Sequence, residues 1–95
     1  MPEMRFFIRW PDGTTETCYS PSLVIKDYFS VGESYPVADF LARSRTAFNI
    51  ANERVRAKYG FACSQAITQL ARIESVAMAF GDDADACVTV DAFEE

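Results

Sequence analysis

Residues 4–19 read MRFFIRWPDGTTETCY, and this stretch decides the fold. Met4, Phe6, Ile8 and Trp10 alternate with Arg5, Phe7 and Arg9, the period of two expected of a strand with one face on a core. Pro11, Asp12 and Gly13 then supply a turn in which proline pre-sets φ and glycine takes a positive φ, the pattern of a hairpin closed by a glycine bulge. A second strand, Thr14 to Tyr19, follows. The turn pairs Trp10 with Thr14, so Phe6 falls opposite Cys18 and Arg5 opposite Tyr19. Cys18 then shares the core face with Phe6 and Ile8, while Phe7 and Tyr19 lie on the other face.

Outward from this hairpin the chain reads as helical. Ser20 and Pro21 predict the N-cap and first position of a short helix running to about Phe29. The stretch 32–36 breaks the chain, and Pro36 opens a long helix. Its apolar stripe is Val37, Phe40, Leu41, Phe48, Ala51, Val55 and Tyr59, with Gly60 as C-cap. Another long helix starts near Cys63, burying Ile67, Leu70, Ile73, Ala77 and Phe80, and ends at Gly81 with Asp82, Asp83 and Asp85. Val88 and Val90 mark a final strand. The predicted order is β-β-α-α-α-β: an α+β, two-layer domain whose three-stranded antiparallel sheet has the last strand beside the first and helices on one side. The far face then carries Phe7, Tyr19 and Phe93 among Arg5, Arg9, Thr17 and Asp91.

Ninety-five residues suit one domain, 1–95, and 49% hydrophobic with 24% charged residues is ordinary for a globular chain. No apolar run is long enough to span a membrane, and Met1 is followed by Pro2, Glu3 and Met4 in place of a secretion signal, so a cytoplasmic protein is expected. Three cysteines without a CxxC pair, and no histidine, argue against a disulfide framework and ordinary zinc sites. The absence of histidine removes Ser-His-Asp and Cys-His mechanisms. The glycines at 13, 32, 60 and 81 form no phosphate-binding loop and no dinucleotide fingerprint, so neither a cofactor nor a catalytic residue is predicted. The acidic residues at 82, 83 and 85 lack EF-hand spacing, and no metal site is expected.

Charge is segregated along the chain: −3 over residues 1–42, +5 over 43–72 and −7 over 73–95. On the long helix Arg43, Arg54 and Lys58 flank the apolar stripe on one side and Arg45 and Arg56 on the other. The outward strip between them, Ala42, Thr46, Ile50, Glu53 and Ala57, is small and weakly polar. A solvated charged face is one reading. A partner surface is the other, with Ile50 as apolar anchor, Arg45, Arg54 and Arg56 around it, and Phe7 and Tyr19 on the sheet as an alternative patch. Overall acidity opposes nucleic acid. Cys63, at a helix start near Arg56 and Lys58, is the one residue placed for a reactive thiol, although cysteines more often fill small buried gaps.

The segment RVRAKYGFACS at 54–64, with RWPDG at 9–13, CYSPS at 18–22 and GESYPVADFLARSR at 32–45, resembles a family of small bacterial nitrogen-starvation response proteins. The resemblance implies a place in gene clusters built around a nitrilase and linked to nitrile or cyanide assimilation. It brings no catalytic residue with it. Together these readings lead to a non-enzymatic accessory or regulatory module that binds a protein partner from the same cluster. The alternatives are a small-molecule-binding or thiol-dependent enzyme centred on Cys63, or a homodimer closed by the helix strip.

Overall fold

A computed structural model describes residues 3–80 and 85–95. The elements run β1 (Met4–Arg9), β2 (Thr15–Ser20), α1 (Ile25–Tyr28), β3 (Ser34–Pro36), α2 (Val37–Tyr59), α3 (Ser64–Met78) and β4 (Cys87–Glu94). The hairpin has the predicted register, with Phe6 opposite Cys18 and Arg5 opposite Tyr19. Trp10 N–H donates to the Thr14 carbonyl at 2.7 Å and Gly13 N–H to the Trp10 carbonyl at 2.9 Å. Gly13 has φ +89°, a conformation that L side chains rarely adopt. Asp12 locks the turn by accepting the Thr14 N–H at 2.9 Å, and this bond, which the charged carboxylate makes best, holds its pKa below the usual value.

Among the described residues the sheet has four strands in the order β2-β1-β4-β3, where three were expected. The added strand is the segment read as a chain break. Ser34, Tyr35 and Pro36 pair antiparallel with Thr89, Val88 and Cys87. Gly32 N–H donates to the Val90 carbonyl, Val90 N–H donates to the Glu33 carbonyl, and the Ser34 and Thr89 hydroxyls meet at 2.8 Å. Three residues show no alternation to detect, and their partners lie more than fifty positions away. Pro36 ends β3 and also serves as N-cap of α2.

The first helix is also shorter than predicted. Ser20 completes β2 opposite Met4 instead of capping a helix. Ser20 Oγ donates to the Ser22 carbonyl at 2.8 Å, and Ser22 Oγ accepts the Val24 N–H at 3.3 Å. Such local serine bonds compete with helix, which therefore starts only at Ile25.

One face of the sheet, carrying Phe6, Ile8, Cys18, Val88 and Val90, is buried under the helices. Phe6 stacks on Phe29 at 6.1 Å between ring centroids and meets Phe48 of α2 at 6.2 Å, and Trp10 is held between Phe40 at 5.7 Å and Phe80 at 6.2 Å. A bulge sits in β4, where Phe7 faces Ala92 and Ile8 faces Val90. By adding one residue it turns Phe93 onto the core side opposite Phe6, so Phe93 does not join the far face as expected. Two predicted core residues are corrected. Tyr59 is 51% exposed and Ile67 is 53% exposed. Twenty-three residues of α2 span roughly 34 Å, whereas the six to eight residues of the longer strands span only about 20 to 27 Å. The far end of α2 therefore overhangs the sheet, and the apolar stripe runs past the surface that would cover it.

Candidate functional site

Of the sequence-predicted strip on α2, Ala42, Thr46, Glu53 and Ala57 are exposed, but the anchor at its centre is not free. Ile50 is half-buried and packs against the core cluster, so it does not stand opposite the apolar stripe. Arg45 is bound to Glu74 of α3 at 2.9 Å, an ion pair that ties the two long helices together. Arg54 donates to Ser22 Oγ at 2.9 Å. Arg43, from the same basic segment, is held by Asp39, by the Tyr28 carbonyl and by the ring of Tyr35. Most of the positive charge of residues 43–72 is thus spent on internal contacts, and of the predicted arginines on α2 only Arg56 has neither an ion pair nor a side-chain hydrogen bond among the described residues.

Of the sheet residues, the structure brings Tyr19 beside the Cys63 thiol. Phe7 is half-buried on the open face among exposed Arg5, Arg9 and Thr17. Arg5 and Arg9 are paired with Glu94 and Asp91. Tyr19 lies at the sheet edge, where its backbone N–H donates to Gln69 Oε1 of α3 at 3.0 Å. Partial burial, then a hydrogen bond with Glu3, pushes its phenol up to about 12.

Cys63 is the N-cap of α3. It is half-buried, its N–H donates to Asn52 Oδ1 at 3.3 Å and its carbonyl accepts the Ile67 N–H at 3.1 Å. Its backbone ties the start of α3 to Asn52 of α2. Cys18 is fully buried, and that burial pushes its thiol well up. Among the described residues no group of three or more cysteines and carboxylates is arranged to hold a metal ion, and Asp82 and Asp83 of the acidic cluster lie outside those residues.

What the fold presents is the turn between α2 and α3. Gly60, with φ +84°, stops α2 and donates its N–H to the Arg56 carbonyl at 2.8 Å. On either side of it stand Tyr59, 51% exposed, and Phe61, 68% exposed, their ring centroids 6.4 Å apart. Lys58 Nζ lies 5.5 Å from the Tyr59 ring centre. Exposed Arg56 precedes them one turn back, and Ile67 follows one turn into α3. Cations at a helix C-terminus also complement the macrodipole, which accounts for Arg56 and Lys58 but not for two adjacent exposed rings. The sequence carried the signal, an aromatic on each side of a helix-ending glycine, but periodicity assigned Tyr59 to the core. A second feature is a cleft of about 570 Å³ between the edge of β2 and α3, lined by Glu16, Tyr19, Gln65, Thr68, Gln69 and Arg72 among others.

These features define a small α+β domain in which a helical hairpin lies on one face of a four-stranded antiparallel sheet and projects an aromatic turn beyond it. A family model described as nitrogen starvation-induced protein NitG matches residues 5–93, from the first strand through the last. The chain belongs to that family. No curated protein and no solved structure matches it. Among the described residues no helix is long and apolar enough to cross a membrane.

Proposed function

We propose that this nitrogen starvation-induced protein is a non-catalytic accessory module that binds a protein partner through its aromatic turn, the partner being another product of a nitrilase-centred gene cluster. The observation that carries the reading is the pair Tyr59 and Phe61, more than half exposed beside the cations Arg56 and Lys58. Exposed rings gain nothing from a monomer's own core, whereas aromatic and arginine side chains are the residues that most often anchor interfaces. The partner surface is an apolar pocket with an acidic rim. The carboxylates at the end of β4 do not supply it, since Asp91, Glu94 and Glu95 are paired with Arg9, Arg5 and Lys26. The occupant we propose is a different protein. The cluster context rests on the family resemblance.

The test is a paired capture from nitrogen-starved cells with Phe61→Asp and Met78→Asp. Met78 is 79% exposed at the other end of α3, so the second variant controls for a new surface charge. A protein retained by wild type and by Met78→Asp, lost by Phe61→Asp and then rebound after purification supports the reading. Equal retention by both variants refutes it.

A further inference from the structure

The two edges of the sheet are treated differently. β3 is three residues long and ends in Pro36, which has no N–H, and both features block pairing with another strand. β2 has six residues with no proline, no lysine and an unbroken register against β1. The Trp10 N–H bond to the Thr14 carbonyl fixes which way its backbone turns. By antiparallel alternation Glu16, Cys18 and Ser20 bond β1, while Thr15, Thr17 and Tyr19 aim their N–H and C=O groups at the free edge. The Tyr19 N–H bond to Gln69 agrees with this direction. Thr15 and Thr17 are exposed.

We propose that β2 pairs antiparallel with β2 of a second copy, about a two-fold axis at Thr17, joining the two sheets into one continuous sheet. In this register Thr17 exchanges both backbone hydrogen bonds with its own counterpart. Tyr19 falls opposite the other copy's Thr15, an aromatic against a β-branched residue, and Glu16 falls opposite Cys18, so no like charges meet. The layer beneath fits as well. α3 runs antiparallel to β2, with Gln69 reaching Tyr19 and Arg72 reaching Glu16. Its stripe Gln65, Thr68, Gln69 and Arg72 lines the cleft. The two-fold at Thr17 crosses α3 between Gln69 and Arg72 and brings this stripe against itself there, the Arg72 charge offset by its own Glu16 and Thr68 and Gln69 offering groups that both donate and accept. A foreign strand would use the main-chain bonds alone, whereas a second copy also fills the cleft. This interface is separate from the aromatic turn.

Sedimentation equilibrium of the full chain from micromolar to millimolar concentration tests the proposal, and a concentration-dependent dimer is expected. Thr17→Pro should weaken the dimer by roughly 10- to 100-fold, since it removes one backbone donor per copy at the axis. The monomer should tolerate it, because the Thr17 N–H faces outward. Thr17→Lys, which sets two cations face to face on an exposed position, should also dissociate it without moving the monomer's melting curve, and it decides the matter should the proline variant fail to fold. Gln69→Ala, by freeing the Tyr19 N–H, should tighten the dimer. A monomer at every concentration overturns the proposal, as does a dimer that survives Thr17→Lys or one that Phe61→Asp dissociates.

Discussion

Replacing Phe48 by alanine is the sharpest test of the packing. Phe48 is fully buried, and its ring meets Phe6 of the central strand at 6.2 Å, so it is one of the contacts through which α2 grips the sheet. Truncating a closed phenylalanine site removes transfer energy and leaves a cavity, together about 3 to 5 kcal/mol. At about 0.05 to 0.15 kcal/mol per residue, 95 residues hold roughly 5 to 14 kcal/mol. The loss is therefore about a fifth of the total at the least and nearly all of it at the most, and at about 4 to 8 °C per kcal/mol it lowers Tm by roughly 12 to 40 °C. Trp10, the only tryptophan, is 2% exposed between Phe40 and Phe80, so its emission shifts to the red on unfolding and reports the transition without a label. Urea titrations followed by Trp10 emission and by far-UV circular dichroism should give coincident transitions at a much lower midpoint for the variant. A midpoint within about 0.5 kcal/mol of wild type, the range of an ordinary surface change, would refute the placement of Phe48.

Three further outcomes are expected. Gly13→Val should cost about 1 to 3 kcal/mol through backbone strain alone, because a Cβ there meets nothing within 4 Å, and thermal melts measure it. Ile50→Asp should destabilise the fold by about 1 to 3 kcal/mol in urea titrations, since the side chain is half-buried against the core. The turn bond of Asp12 gives an acid limb: its pKa is lower folded than unfolded, so its contribution is complete above the ordinary value of 3.8 and is lost as pH falls through the folded value. Asp12→Ala should therefore flatten the dependence of Tm on pH below about 4.

The hairpin was legible because its information is local: Pro11, Asp12 and Gly13 fix the turn, and the turn fixes every pair from Trp10–Thr14 to Arg5–Tyr19. The two long helices were legible from their stripes and from Gly60. What escaped depends on distant partners. β3 exists only because Thr89 and Val88 lie beside it. Phe93 faces the core because of a bulge formed against β1, and Tyr59 is exposed because α2 outruns the sheet. Ile50 was misplaced because a wheel drawn on one helix does not show how far the neighbouring elements wrap around it. The aromatic turn was hidden by the same limit, since Tyr59 fits the stripe and only the length of the sheet says that nothing covers it.

The aromatic turn, not the α2 strip or the open sheet face, is the surface we propose for the partner. Isothermal titration of the purified partner into wild type, Phe61→Ala and Phe7→Ala tests it most directly. Phe61→Ala should lose about 2 kcal/mol or more, roughly 30-fold in Kd, as anchor residues do, while Phe7→Ala should bind as wild type. Unchanged binding by Phe61→Ala, or a loss confined to Phe7→Ala, would contradict it.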